Sequence, residues 1–364
     1  MPLKLNESST CNIPKNSKLA DLLRETSLII WDGVPMQNRS CFEAVDRTLR
    51  DICSNNVLFG GIPVVLGGGF AQIPPVVKNG NSPNDVHFKK WLYLMTYNTA
   101  MQNAKIPLPQ YISQTSSLDE LIAKVYSQET LLQALDNPSI LYKSAILTSK
   151  NAAVDSINEK LLDLMPGEPV TLISADKADY SDEENSDNEV YRFSIEYLQM
   201  LSPGSFPPAK LTLKVDCIVM LLRNLDPQRG LCNGIRLIVK RIGQYVLEAV
   251  VMKDQNNGHE QIEFIPRITL TTLEDDYPFI LSRKQFPTKL SFAMTINKSQ
   301  DQSLTNVGID LCSPLFTHGQ LYVAFSRSTD LQGIHVLLTE AHSDQQYSSS
   351  NNTTDNIIFP KLLL

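Results

Sequence analysis

The chain has 364 residues, of which 42% are hydrophobic and 20% charged, so it can bury a sizeable core and form two domains. A net charge of −7 gives no overall attraction to nucleic acid, although a local basic groove can exist on an acidic protein. The six cysteines form no C-x-x-C pair, which predicts free thiols. The N-terminus has no apolar secretion segment, which predicts a location in the nucleus or cytoplasm and no membrane partner.

The first predicted unit is a strand, a helix and a second strand. Ser27 to Trp31 is a short apolar run that predicts a buried parallel strand, and the following helix should end near Cys53. A second buried strand is predicted at Ile62 to Leu66. Because ligands of open α/β sheets bind beyond the carboxyl ends of the strands, Asp32 and residues 69–72 lie where a ligand-binding or catalytic site is expected. The alternative is that both are plain turns.

A second α/β unit follows a less regular region. Prolines interrupt residues 80–140, which we interpret as a connector. Apolar periodicity then predicts a strand at Ser144 to Thr148 and a helix at Asn151 to Leu164. The acidic stretch Asp176 to Glu189 is typical of a solvated loop.

The pattern changes to alternation in the C-terminal half. Leu211 to Leu221 predicts one long strand. Turn signals separate the shorter strands that follow and favour a small β-barrel: Arg236 to Lys240, Tyr245 to Val251 and Gln261 to Ile265. The α/β pattern resumes from Ser291 to Leu338, and the polar segment Ser343 to Asp355 is predicted to be disordered.

Six segments of this chain, in order, resemble the Pif-like helicases of the Helitron type, which belong to helicase superfamily 1. They are LIIWDGVPM (Leu28 to Met36), FGGIPVVLGGGFAQIPPVV (Phe59 to Val77), AILTSKNAAVDSINEKLL (Ala145 to Leu162), Lys210 to Val239, AMTINKSQDQSL (Ala293 to Leu304) and HGQLYVAFSR (His318 to Arg327). The resemblance implies an α/β fold with two RecA-like parallel-sheet domains, the first of them incomplete and the sequence truncated at its N-terminal side. Residues 1–140 would hold the first domain and connector, and 141–342 the second, with an SH3-like β-barrel insertion at about 208–286 and a tail at 343–364.

The resemblance also implies a function. Members of this family are 5′-to-3′ ATP-dependent DNA helicases that act in DNA repair, recombination and telomere maintenance, with ATP and Mg²⁺ as cofactors and single-stranded DNA as partner. Their phosphate loop, G-x-x-x-x-G-K-[ST], cradles phosphates with backbone N–H groups. No such loop occurs in the 364 residues, which puts ATP binding by this chain in doubt.

Two further parts of the family's hydrolytic site are altered. By resemblance, Asp32 corresponds to the motif II aspartate that holds Mg²⁺ through water, but the neighbouring catalytic glutamate is Gly33. Removing one such group typically lowers the rate by roughly 10²- to 10⁵-fold. In motif III, Gly69 and Ala71 replace an aspartate and an arginine, which leaves Gln72 as the phosphate sensor. The alternative for Asp32 is a turn residue after a strand.

More of the second domain's motifs survive. Arg327 matches the family's arginine finger, with a helix C-terminal cation as the alternative. One loop matches the family's DNA- and nucleotide-contacting loop, except that Asp301 replaces a glycine. The candidates are Thr295, Asn297, Lys298, Ser299 and Arg236 for single-stranded DNA, and Gln300 and Lys298 for the nucleotide.

Three hypotheses remain at this stage. The chain is a working helicase only if an upstream segment or a partner chain supplies the phosphate loop and other first-domain elements. It is alternatively a catalytically defective fragment that binds single-stranded DNA, which the motif changes favour. The third hypothesis is a decayed mobile-element fragment without a folded role. ATP turnover, salt-dependent oligonucleotide binding and a cooperative melt distinguish these three.

Overall fold

A computed structural model describes most of the chain: residues 9–11, 13–32, 39–67, 82–101, 104–179, 193–204, 206–252, 261–272, 277–300, 302–316, 319–338 and 353–357. The chain divides into two units. One comprises residues 1–108, 315–326 and 351–364, and the other comprises 109–314 and 327–350.

The described helices are α1 (Lys18–Arg24), α2 (Arg39–Ile52), α3 (Pro83–Tyr97), α4 (Leu118–Val125), α5 (Gln128–Asp136), α6 (Asn151–Leu164), α7 (Ile195–Met200) and α8 (Gln320–Ser326). The described strands are β1 (Ile29–Trp31), β2 (Val64–Leu66), β3 (Ala104–Pro107), β4 (Ser113–Thr115), β5 (Ser144–Thr148), β6 (Val170–Ile173), β7 (Ala175–Asp179), β8 (Lys210–Leu213), β9 (Ile218–Leu221), β10 (Arg236–Ile242), β11 (Val246–Val251), β12 (Ile262–Pro266), β13 (Ile268–Thr271), β14 (Ile280–Gln285), β15 (Thr288–Leu290), β16 (Ala293–Thr295), β17 (Asn306–Asp310), β18 (Ile334–Leu337) and β19 (Thr353–Asn356).

The first unit contains the predicted strand, helix and strand. β1 and β2 pair in parallel, and α2 follows β1 and touches it through the rings of Trp31 and Phe42, whose centroids are 4.5 Å apart. The prediction that both strands are buried is wrong. Ile30 is 72% exposed and Val65 52% exposed, because in the described part of this sheet only these two strands pair.

The last three residues of the segment predicted to be disordered, 353–355, instead belong to a strand. β19 pairs with β3 in antiparallel register, and the Asn356 side chain donates to the carbonyl oxygens of Met95 and Met101, both at 2.7 Å. These long-range partners order residues whose local sequence is polar. Residues 343–352 of the predicted tail lie outside the described part.

The second unit is built on a parallel sheet with the strand order β16-β5-β17-β18-β4. β5 and α6 have the predicted bounds, and α4 lies so close to the sheet that a Cβ at Gly308 would be 2.9 Å from Val125 Cγ2. Residues 113–115, inside the predicted connector, form an edge strand of this sheet. The connector therefore contributes to the second unit's sheet.

An antiparallel sheet, with the order β12-β11-β10-β9-β15, occupies the predicted insertion. The single long strand predicted at Leu211 to Leu221 is wrong, because the chain turns between β8 and β9, where Asp216 has a left-handed φ of 63°. β8 pairs with β6 instead. Within the described residues no pairing joins β12 to β15, so closure into an SH3-like barrel stays a prediction.

A third sheet, β13-β14-β7, corrects the prediction of an acidic loop from Asp176 onward. Asp176 lies on β7 and is buried in an ion pair with Arg283 of β14, at 2.7 Å between Oδ2 and Nη2. Arg283 also donates to the carbonyl oxygens of Leu198, Leu201 and Pro207. Residues 180–189 of the acidic stretch lie outside the described part.

Candidate nucleic-acid and nucleotide site

The carboxyl edge of the parallel sheet in the second unit carries a row of polar residues. Thr295 of β16 is in register with Thr148 of β5, which is in register with Asp310 of β17. In chain order, β5 is followed in this sheet by β16, which lies on one side of β5. β17 lies on the other side of β5 and is followed by β18, farther in that direction. Such a reversal opens a crevice that binds ligands in α/β proteins.

One of the two hydroxyl groups at the end of β5 has no hydrogen-bond partner among the described residues. The Thr148 hydroxyl is buried and has no hydrogen-bond partner among the described residues, and Ser149 Oγ donates to the Ser313 carbonyl oxygen at 3.3 Å. Buried polar atoms without partners are costly, so a ligand or water at this edge would be stabilising.

The predicted DNA- and nucleotide-contacting loop begins at the same edge. Thr295 ends β16, and Ile296 to Ser299 form a short 3-10 helix. Asn297 and Lys298 are partly exposed. Gln300 Nε2 is buried without a partner among the described residues, so this predicted nucleotide contact has an amide group to offer. Asp301 lies outside the described part.

The Ser299 side chain takes part in the structure of the loop itself, and its contact with DNA stays a prediction. Its side chain is buried, and its Oγ donates to the Ile296 carbonyl oxygen at 2.7 Å. This bond closes the short helical turn, so the hydroxyl shapes the loop and its proton is not available to a phosphate.

Lys298 is the loop's cation, and its surroundings weaken its charge. Partial burial, followed by the proximity of Lys289, lowers the pKa of Lys298 to about 8, and Asp155 opposes this shift. The ammonium is therefore still mostly protonated at neutral pH but loses its proton in mildly alkaline solution.

Arg236 was predicted to contact DNA, and its burial does not favour that prediction. Its guanidinium is buried and donates to the carbonyl oxygens of Tyr142, Ser144 and Ser291 at 3.3, 2.9 and 3.1 Å. Burial lowers the pKa of Arg236, and the nearby Tyr126 opposes this. The sequence shows a basic residue on a strand but not that its side chain points into the core.

Other basic and aromatic residues of the insertion differ in their availability. Lys240 forms an ion pair with Asp216 at 3.2 Å, and Arg223 Nη1 donates to the Leu222 carbonyl oxygen. Tyr245 is 70% exposed, and an exposed aromatic ring is the kind of surface on which bases stack.

Comparison with known proteins shows which family this chain resembles. The model of the PIF1-like helicases matches residues 1–117, and the model of the 2B domain of the DNA helicase Pif1 matches residues 196–242. ATP-dependent DNA helicases PIF1 from Danio rerio and Homo sapiens are each 28% identical to this chain over 85% of its length and 46% of theirs. These matches show that the chain is similar to the Pif1-like helicases of superfamily 1.

The Pif1-like chain spans less than half the length of these relatives. Solved structures show the same RecA-like α/β fold. Pif1 helicase from Candida albicans aligns with a TM-score of 0.56 at 21% identity, covering 90% of this chain and 77% of that one. Bacteroides Pif1 bound to single-stranded DNA aligns with a TM-score of 0.50 at 22% identity, covering 98% and 84%.

Asp32, which the resemblance assigns to motif II, lies at the carboxyl end of β1. Asp32 directly follows β1 and is exposed, and a Cβ at Gly67, which directly follows β2, would be 3.4 Å from Asp32 Oδ1. Both residues thus lie at the carboxyl ends of the parallel pair. Gly33 and the motif III residues, including Gln72, lie outside the described part, so the roles of Asp32 and Gln72 stay predictions.

Arg327, the predicted arginine finger of the Pif1-like site, directly follows α8 and is buried. Its carbonyl oxygen accepts a hydrogen bond from Leu304 N at 2.9 Å. A buried guanidinium must be neutralised or hydrogen-bonded where it lies, so its reach to a nucleotide stays a prediction.

Two features are absent from the described residues. They contain no group of three or more His, Cys, Asp or Glu side chains arranged to hold a metal ion. Among these residues, no helix has both the length and the apolar character needed to span a bilayer.

Proposed function

We propose that this Pif1-like chain binds single-stranded DNA through its second unit and does not hydrolyse ATP by itself. One contrast carries the proposal. The loop from Thr295 to Gln300 lies at the ligand-binding edge of a five-stranded sheet, whereas the 364 residues contain no phosphate loop and have Gly33 in place of the catalytic glutamate.

The residues present do not fit a complete ATP and Mg²⁺ site. Asp32 supplies one carboxylate for a water-mediated Mg²⁺ contact, but the Lys and Ser/Thr of a phosphate loop are missing from the chain. Relatives are named ATP-dependent, and a Bacteroides Pif1 has been solved with ADP-AlF3 and single-stranded DNA. Because the phosphate-loop residues are missing, we assign DNA, rather than ATP, as the ligand that this chain retains. Its expected location is the nucleus, with the cytoplasm as the alternative.

The active-helicase alternative has one supporting observation. The β1–β2 pair leaves Ile30 and Val65 largely exposed, whereas parallel sheets normally have both faces covered. Additional first-domain strands from another segment or a partner chain would cover them. Helicase activity requires that the same addition bring a phosphate loop.

Salt-dependent binding tests the proposal. A fluorescent oligonucleotide should bind at low salt, and log K should fall with log salt by about 0.7 per phosphate contacted. Lys298→Ala should reduce this slope by about one contact, or ~0.7. Lys160→Ala is the matched control, because Lys160 is a surface lysine of the same unit that pairs with Asp119. Absence of binding at low salt, or equal effects of the two substitutions, contradicts the proposal.

The lowered pKa of Lys298 predicts a pH dependence. Because the ammonium loses its proton above about pH 8, oligonucleotide affinity should fall between pH 7 and pH 9.5 by about fivefold, the value of one weak ion pair. The same lowered pKa makes the contribution of Lys298 to folding stability rise over this range, since the unfolded chain binds the proton more tightly. Loss of affinity is therefore not explained by unfolding at Lys298.

Lys298→Arg is the control for this pH effect. An arginine keeps its charge throughout the range, so its binding should be nearly independent of pH. An equal fall in affinity for Lys298→Arg and the unmodified chain shows that another group is responsible.

A further inference from the structure

A four-residue segment between the antiparallel and parallel sheets of the second unit is held at every carbonyl group. The Leu290 and Ala293 carbonyl oxygens accept from Asn158 Nδ2 at 3.2 and 3.1 Å. The Ser291 carbonyl oxygen accepts from Arg236 Nη2 at 3.1 Å, and that of Phe292 from the Tyr126 hydroxyl at 3.0 Å. We call residues 290–293 the clamped segment.

The clamped segment is also held through its amides. Ala293 N donates to Asn158 Oδ1 at 2.8 Å, and Ser291 N donates to the Ile218 carbonyl oxygen at 2.9 Å. The Asn158 side chain thus hydrogen-bonds both the amide and the carbonyl group of Ala293, as the backbone of a neighbouring strand would.

The three side chains reach this segment from separate elements. Tyr126 directly follows α4, Asn158 lies on α6 and Arg236 on β10, and all three are buried. Burial raises the pKa of Tyr126 to about 12, so its hydroxyl keeps its proton, which the carbonyl oxygens of Phe292 and Ser144 share. Buried hydrogen bonds of this kind specify one arrangement, because losing a single partner leaves a polar group unpaired.

The clamped segment leads directly into the loop. It joins β15 of the antiparallel sheet to β16, and the loop from Thr295 to Gln300 begins two residues after Ala293. A displacement of this segment would therefore move Lys298 relative to the row formed by Thr148 and Asp310.

We propose that Tyr126, Asn158 and Arg236 are positioning residues that hold the loop in its DNA-binding geometry and tie it to the insertion. This inference rests on the proposed single-stranded DNA binding. None of the three needs to touch DNA, and each acts through the main chain of the clamped segment.

The test combines hydrogen exchange with oligonucleotide affinity. Tyr126→Phe removes one hydroxyl and keeps the ring that packs edge-on against Phe292. It should accelerate amide exchange across residues 293–299 and weaken oligonucleotide binding by about fivefold, the effect of one hydrogen bond. Thr115→Val is the matched control, because it removes a buried hydroxyl that donates to the Val336 carbonyl oxygen at the far edge of the same sheet. It should leave both quantities unchanged.

A double substitution separates positioning from general destabilisation. In a Lys298→Ala background, Tyr126→Phe should change affinity by less than about twofold, because the contact that it misplaces is already gone. An undiminished effect in that background overturns the proposal, as does unchanged exchange of residues 293–299 or exchange that accelerates without loss of affinity. Failure of the unmodified chain to bind oligonucleotide overturns the proposed function itself. If Tyr126→Phe unfolds the chain, Arg236→Lys, which keeps the charge but not the planar donor array, replaces it in both arms.

Discussion

In the presence of single-stranded DNA and Mg²⁺, the 364-residue chain is expected to show no ATP hydrolysis above background, since the loss of one catalytic group alone typically lowers the rate roughly 10²- to 10⁵-fold. Gly33 has no side chain to orient the attacking water. By resemblance, Gly69 and Ala71 replace two charged residues of motif III, and no phosphate loop occurs in the 364 residues. Phosphate release with the unmodified chain and an active relative, side by side, measures the difference.

Gly33→Glu provides the control for that result. In this chain the substitution should leave the rate at background, because a restored glutamate still lacks a phosphate loop beside it. In a longer polypeptide that supplies the loop, the same substitution should raise turnover. Turnover within tenfold of the active relative by the unmodified chain would contradict this account of the site.

Asp176→Ala is expected to lower the free energy of unfolding of the second unit by about 3–5 kcal/mol, the usual cost of leaving one partner of a buried ion pair uncompensated. Arg283 contacts both carboxylate oxygens of Asp176, through Nε at 3.1 and 2.9 Å and through Nη2 at 2.7 Å. Both side chains are buried, so water cannot replace the lost carboxylate. Chemical denaturation monitored by circular dichroism measures the change.

Two further variants isolate the cause of the Asp176 effect. Asp119→Ala breaks the exposed pair with Lys160 in the same unit and should cost less than about 1 kcal/mol. Replacing Asp176 by Leu together with Arg283 by Met should recover much of the loss, because no buried charge then remains. A loss below about 1 kcal/mol for Asp176→Ala contradicts the structural role of the pair. A cooperative transition for the unmodified chain also excludes the decayed fragment without a folded role.

Local periodicity predicted the central elements of the second unit well. β5 and α6 have the predicted bounds, because a continuous apolar run and a helical apolar face are both visible within a short window. Elements that depend on distant partners were missed. Asp176 looked like part of a solvated loop because its partner is 107 residues away, and β19 is ordered by β3, which lies far earlier in the chain.

In the candidate site, too, local features were predicted from the sequence and contacts with distant residues were not. The resemblance predicted a DNA- and nucleotide-contacting loop at Thr295 to Gln300, and this segment begins at the carboxyl edge of the parallel sheet. The resemblance could not distinguish Lys298, which is partly exposed, from Arg236, which is buried. Tyr126 and Asn158 were missed altogether. A polar Asn158 beside the apolar residues Ile157 and Leu161 of one helix was the available signal, since a buried amide needs nearby partners.

We expect this Pif1-like chain to bind single-stranded DNA without hydrolysing ATP. Fluorescence anisotropy of a labelled single-stranded oligonucleotide, titrated at low salt with and without Mg²⁺ and ATP, tests it most directly. We expect salt-sensitive binding whose affinity is the same in both titrations, because the chain has no phosphate loop through which ATP could alter it. Absence of binding at low salt, or an affinity that changes when ATP is added, would contradict the claim.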